Sequence, residues 1–195
     1  RGAQGDPALR TALRQATTAG QEALERLRAL IPQVPPEAAT PVNINQLLRE
    51  VLELCKHRLL AGGMVVDWKP TPILPAITAR ASRLRGMFKQ LLDNALDAME
   101  GNRHQPRELR IVTNVRDQAV QITIEDTGPG IPSDLHWRIF EPFFTTKRAA
   151  THTGLGLALV QEVVNEQRGV IALDSDYTAG CRWQVSLPIE YVEEI

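Results

Sequence analysis

Cysteine and net charge are both scarce in this 195-residue sequence, and each scarcity narrows the class of function. The two cysteines, Cys55 and Cys181, lie too far apart for a metal-knuckle spacing. They permit one disulfide without requiring it, and two buried thiols in a reducing compartment is the preferred reading. A formal net charge of -1 argues against the clustered Lys and Arg of a nucleic-acid footprint. No apolar run approaches the roughly 20 residues that span a bilayer, and no signal peptide precedes the first periodic segment. The chain opens on Arg1 and not on methionine, which reads as a piece of a longer protein with further regions upstream. What remains is a 43% hydrophobic composition, enough to bury a core in one medium domain plus an appendage.

Residues 1–31 read as one helix, with Asp6 as N-cap, Pro7 at the first helical position and an apolar stripe through Leu9, Leu13, Ala16, Leu24, Leu27 and Ile31. A single stripe does not name its partner: it fits a helix packed on the next domain or half of a dimerising hairpin. Residues 32–42 form a Pro-rich linker and the domain boundary, leaving 43–195 as the main domain. Asn43 or Asn45 caps a second helix to about Leu60, ended by Gly62-Gly63. Met64–Trp68 reads as a strand, and a third helix covers about Ala79–Met99. Leu109–Val115 and Val120–Asp126 alternate as an antiparallel hairpin turning at 116–118. Residues 127–152 form a long irregular stretch with a short helix near Leu135–Phe140, a length typical of functional lids. A fourth helix spans Gly154–Gln167, and Val170–Asp174 pairs with Arg182–Leu187. Helices interleaved with hairpins indicate an α+β fold with an antiparallel or mixed sheet.

Four segments carry chemistry. In ITIEDTGPGIP (122–132) a half-buried strand ends on Asp126, and the chain then turns through Gly128, Pro129 and Gly130. An ionised carboxylate only accepts hydrogen bonds, so it suits the exocyclic amine of adenine and rejects the oxygen guanine would present. An unpaired buried acceptor costs roughly 1–3 kcal/mol, enough to choose the base. The bland alternative is an ordinary Asp-Thr-Gly turn. In QLLDNALDAM (90–99) Asn94 and Asp97 share a polar helical face, with Asp93 between the faces; that is either a solvated stripe or a pair of hard oxygen donors for Mg²⁺. In TGLGLALVQEVV (153–164) Gly154 and Gly156 open a helix whose free N–H groups can hold phosphate, or form a packing turn. In IFEPFFTTK (139–147) Phe140, Phe143 and Phe144 suit a satellite core under a lid, with Lys147 in reach of a phosphate or simply solvated.

The order and spacing of these four segments resemble the ATP-binding domain of sensor histidine kinases, within the superfamily shared with gyrase, Hsp90 and MutL. QLLDNALDAM matches the N box, DTGPGIP the first glycine box, FEPFF the F box and TGLGLAL the second glycine box. The resemblance spans residues 40–190, and DNALDAM with EPFFTTK gives it the flavour of cytoplasmic nitrogen-regulator-type kinases. It implies a Bergerat two-layer α/β sandwich, a mixed sheet covered by helices, preceded by one helix of a dimerisation hairpin. It implies ATP or ADP with Mg²⁺, Asn94 as the metal ligand and Asp126 on the adenine amine. Gly128, Gly130, Gly154 and Gly156 would shape pocket and lid, with Asp97, Ile131, Phe140, Lys147, Thr153, Leu155 and Cys181 completing the nucleotide site. It also implies a homodimer, and a response regulator or a transcriptional activator as protein partner.

Three departures bear on catalysis. None of His57, His104, His136 and His152 lies in the first helix or precedes an acidic residue, so the phospho-accepting helix is expected upstream of Arg1, and no catalytic residue is expected here. The lid carries His152 where related kinases have glycine, which either stiffens it or gives it a phosphate donor. Cys181 stands where the family often has threonine, a softer contact to the base. These features, and PVNINQLLREVLELCKHRLLAGGMVVDW, are similar to the nitrogen-fixation anti-activators of the NifL type, which sense nucleotide without transferring phosphate. A gyrase- or Hsp90-like ATPase is disfavoured, because the general-base position four residues before Asn94 is Gln90.

Overall fold

Helix capping and strand alternation account for most of the architecture of the computed structural model, which describes residues 37–100, 106–147 and 153–189, all within the unit Glu37–Ile195. The helix expected over 1–31, the Pro-rich start of the linker, His104 and the lid residues 148–152 lie outside them. Inside the segment read as linker, strand β1 (Thr40–Val42) pairs antiparallel with β3 (Ile77–Ala79). Asn43, not Asn45, caps α1 (Ile44–Ala61), its side chain accepting from the Gln46 N–H at 3.0 Å. Asn45 is buried: its amide donates to the Thr71 carbonyl at 2.9 Å and accepts from the Thr113 hydroxyl at 2.8 Å. After Gly62-Gly63 comes β2 (Val65–Lys69). Helix α2 spans Ala81–Glu100, so Ala79, expected in this helix, belongs to β3. The Glu37 carboxylate accepts from the Ser82 N–H in its first turn.

Strands β4 (Glu108–Arg116) and β5 (Ala119–Asp126) form the expected hairpin. Its two-residue turn holds Asp117 and Gln118 at φ 51° and 57°, the positive-φ pair that matches strand twist. The short helix expected near Leu135–Phe140 is absent. A single 3-10 turn at Ser133–Leu135 takes its place, continued by backbone bonds spaced three residues apart. Pro142 supplies no N–H and biases Glu141 away from helical geometry, so no helix continues past this stretch. Helix α3 (Gly156–Glu166) starts two residues later than expected, followed by β6 (Val170–Leu173) and β7 (Cys181–Pro188).

The five-stranded sheet has the order β2-β4-β5-β7-β6, with β2 parallel to β4 and the other pairs antiparallel. It is an α/β sandwich with a mixed sheet: α1, α2 and α3 lie side by side with α2 central, and α2 and α3 contact the sheet. Phe88, Leu91, Leu92 and Leu96 of α2 share one core with Ile111, Ile122, Ile124 and Val185. Burying each such side chain contributes roughly 1.5–3 kcal/mol. Salt bridges tie the helices across their rims: Arg85 (α2) to Glu50 (α1) at 2.7 Å and Arg83 (α2) to Glu162 (α3) at 2.9 Å.

Candidate functional site: a cleft between the central strand end and the lid segment

Period-two alternation in β5 buries Val120, Ile122 and Ile124 on the helix-covered face, and Asp126 is the next residue in that series. The carboxylate therefore sits at the core-facing end of a central strand and is only 3% exposed. One of its oxygens, Oδ1, accepts from the backbone N–H of Gly128 at 2.8 Å and of Cys181 at 3.3 Å. Burial pushes this carboxyl up to about 6, against the partial pull of those two backbone donors. The other oxygen is left for a ligand donor.

The surrounding backbone fits this carboxylate closely. A Cβ on Gly128 would stand 2.7 Å from Asp126 Oδ1 and 2.9 Å from Ala98 Cβ. A Cβ on Gly180 would stand 1.9 Å from the Asp126 carbonyl oxygen. Gly130 adopts φ +74°, a conformation that favours glycine. Cys181 is the register partner of Asp126, and its contact is made by its backbone N–H, which any residue but proline offers there. Its thiol, buried and beside Asp126, is pushed up to about 12. The threonine-for-cysteine difference therefore touches the Asp126 contact less than the sequence suggests.

Beside this strand end opens a cleft of about 560 Å³. One stripe of α2 lines it through Gln90, Asn94, Asp97 and Ala98; the turn after β5 adds Gly130 and Ile131, and the lid segment adds Phe144–Lys147. Thr153, Gly154 and Gly156 close the far side, and the N-cap Leu155 makes no side-chain bond to the first turn of α3. Its leading N–H groups are thus available to an anion. Gly154 takes φ +70°, and a Cβ on it would lie 2.5 Å from the carbonyl carbon of Phe143, so lid segment and helix start meet backbone to backbone.

Of the residues expected from sequence, Asn94, Asp97, Asp126, Gly130, Ile131, Lys147, Thr153, Gly154, Gly156 and Cys181 line the cleft together. Gly128 stands behind Asp126, Leu155 precedes the first turn of α3, and Phe140 is displaced to the rear, packed edge-on against Trp183 at 5.9 Å. The three phenylalanines do not form one satellite core: Phe144 is half-buried, but Phe143 sits at φ +67° and is 75% exposed. Lys147 bonds Asp97 at 2.7 Å, where only a solvated or phosphate-facing lysine was expected. Asp97 also accepts from Arg58 of α1 at 2.6 Å, and Arg58 continues to Asp93 at 3.1 Å. Burial pushes the Asp97 carboxyl up, but the Lys147 and Arg58 bonds outweigh it and hold it below the ordinary range. Leu135, Ile139, Leu157 and Trp183 form apolar parts of the wall that sequence reading did not assign. Trp183 was in principle legible, since it alternates with Cys181 on the same face of β7.

The donor set fits a hard cation that keeps water and shares phosphate oxygens: Asn94 Oδ1, already accepting from Gln90 Nε2 at 3.2 Å, with the Asp97 carboxylate one turn away. An amide at Gln90 cannot take a proton from water, which agrees with the exclusion of a gyrase-like base.

A mixed sheet layered under three helices, with a buried aspartate at a central strand end and glycine turns around an open cleft, defines an adenine-nucleotide-binding sandwich. The chain belongs to the histidine kinase-, DNA gyrase B-, and HSP90-like ATPase family, whose model matches residues 79–191. Within it, the chain carries the ATP-binding catalytic domain of sensor histidine kinases. It is 32% identical over 153 residues to the sensory histidine kinase/phosphatase NtrB of Rhizobium leguminosarum bv. phaseoli, which covers 72% of this chain and 39% of that protein. It is 31% identical over 152 residues to the sensor histidine kinase ZraS of Escherichia coli O157:H7, covering 78% of this chain and 32% of that one. The chain thus spans well under half the length of these relatives. Among solved structures, the nucleotide-free catalytic domain of the histidine kinase ThkA superposes with a TM-score of 0.68 at 25% identity, covering 77% of this chain and 95% of that one. Full-length ShkA in complex with AMPPNP also gives 0.68, at 26% identity over 93% of this chain and 40% of that one. Among the described residues, no helix is long and apolar enough to cross a membrane.

Proposed function

We propose that this chain is the ATP-binding part of a nitrogen-regulator-type histidine kinase that works in the cytoplasm and supplies the phosphoryl donor to a phospho-accepting histidine. The buried, backbone-held Asp126 carries this reading, because a fixed acceptor with one free oxygen selects the adenine amine. In this reading Asn94, with Asp97 near it, holds Mg²⁺, and Lys147, Thr153 and the α3 N-terminus face the phosphates. Bound Mg²⁺ would neutralise charge on the phosphate oxygens. The protein's own contribution is positioning: Asp126 fixes the base, and the cleft wall of Ile139, Leu157 and Trp183 excludes water beside it. Similarity to NtrB supports the nitrogen-regulator type, and two free, buried thiols suit a reducing compartment. The helix at 1–31 would contribute to a homodimer, and the protein partner would be a response regulator.

A second reading is a non-catalytic nucleotide sensor of the anti-activator type, in which ADP controls association with a transcriptional activator. One sequence feature favours it: His152 stands in the lid where related kinases have glycine. Titration of ADP and of a non-hydrolysable ATP analogue, each with and without Mg²⁺, separates the two. Clear preference for the Mg²⁺-bound triphosphate supports the kinase; tight ADP binding with no gain from the third phosphate supports the sensor.

A further inference from the structure

Lys147 is the only basic residue among the described residues that line the cleft, whereas Asp97 and Asp126 are both acidic. Asp126 is committed to the base end, so among the described lining residues Lys147 and Asp97 carry the charge that a polyphosphate meets at the other end. These two are joined at 2.7 Å, with side chains 33% and 21% exposed. Asp97 is itself anchored from behind by Arg58 at 2.6 Å, so the carboxylate is held in place and the lysine is the partner able to leave. The backbone N–H of Lys147 donates to the Thr145 hydroxyl at 3.1 Å, and the segment before it meets Gly154 backbone to backbone at Phe143. Asn94, one turn earlier on the same helix face, puts an uncharged oxygen donor beside the pair.

We infer that Asp97 occupies the phosphate's place on Lys147 in the empty cleft, so that a nucleotide's phosphates must displace this carboxylate and Asp97 sets how strongly the site distinguishes phosphorylated from unphosphorylated adenine ligands. The inference rests on the nucleotide reading of the cleft. Removing the competing carboxylate frees the lysine and removes a like charge from the path of the phosphates, whereas the base end is untouched. The pair is partly solvated, so the competition corresponds to a change of roughly fivefold in affinity, in the range measured for such pairs. Because Asp97 also meets Arg58, its effect reaches α1: a ligand that takes Lys147 leaves the Asp97–Arg58 bond in place.

Calorimetric titration of Mg²⁺-free ADP and of adenosine into the whole chain and into Asp97→Asn, Asp97→Glu and Lys147→Gln tests this. Asp97→Asn is expected to bind ADP roughly fivefold more tightly with adenosine affinity unchanged. Asp97→Glu, which restores the carboxylate, is expected to return ADP affinity towards that of the unsubstituted chain. Lys147→Gln is expected to weaken ADP and to shrink the gain produced by Asp97→Asn when the two are combined. Weaker or unaltered ADP binding by Asp97→Asn would overturn the inference, as would an equal gain for adenosine or a full gain without Lys147. Should Asp97→Asn fail to fold, unaltered ADP binding by Lys147→Gln overturns it alone. Absence of adenosine binding to the unsubstituted chain would instead defeat the nucleotide reading itself, so the two failures are distinguishable.

Discussion

At the Asp126 end of the cleft, position is set by backbone: two N–H groups hold the carboxylate, and Gly128 and Gly180 pack too closely for any side chain. At the Lys147 end, position is set by ion pairs between long side chains that reach across from α1, α2 and the lid segment. Backbone-held groups lose little freedom on binding, whereas half-solvated ion pairs are weak and exchange partners readily. The contrast suits the two tasks. A base needs a fixed template, and phosphates that differ in number and metal content need a mobile one.

Gly180 is the least tolerant position of the base end. Replacing it by alanine drives a methyl into the Asp126 carbonyl, and overpacking of this kind is expected to destabilise the fold by on the order of 3 kcal/mol. Chemical denaturation of Gly180→Ala measures this, and a loss below about 0.5 kcal/mol would show the base end to be far more pliant than described.

The next effect is pH dependence, in which the two ends run in opposite senses: Asp97, held below the ordinary range, contributes stability that is lost as pH falls, and Asp126 does the reverse. Because the Asp126 carboxyl titrates near 6 when folded and near 3.8 when unperturbed, the folded chain holds an extra proton between those values. The contribution of Asp126 to stability therefore falls as pH rises through that window, and Asp126→Asn should flatten this component. Adenosine needs the ionised acceptor, so its affinity is expected to rise about tenfold from pH 5 to pH 7. Titration of adenosine at the two pH values checks the sign, and stronger binding at pH 5 would contradict it.

The smallest effect sharpens the comparison. Since Cys181 meets Asp126 through its backbone, Cys181→Thr is expected to change adenosine affinity by less than about twofold. A large change in the same titration would return the contact to the side chain.

How much of this was legible in the sequence divides along the same line. Asp126 and its glycines were readable because strand alternation and turn chemistry are local, and Asn94 and Asp97 because helical spacing places them on one face. Strands β1 and β3 were missed because three-residue strands carry almost no periodicity, and they exist by pairing across Thr40 and Ala79. Gly180 could not be recognised, since its need for no side chain comes from the Asp126 backbone 54 positions earlier in the chain. The Arg58–Asp97–Lys147 chain of ion pairs was equally hidden: each residue reads as a solvated charge until α1, α2 and the lid segment converge. The helix expected near Leu135–Phe140 is a 3-10 turn at Ser133–Leu135 instead, and six residues with a proline two positions further on leave little room for an α-helix.

The most direct test of the central claim is calorimetric titration of adenosine and ADP into the unsubstituted chain and Asp126→Asn. The amide keeps the acceptor that Gly128 and Cys181 use but turns an N–H₂ towards the base. Both ligands are expected to weaken together by about tenfold or more, the cost of opposing two donors in a buried site. Unchanged affinity for both in the substituted protein would contradict the assignment of Asp126 as the residue that reads adenine.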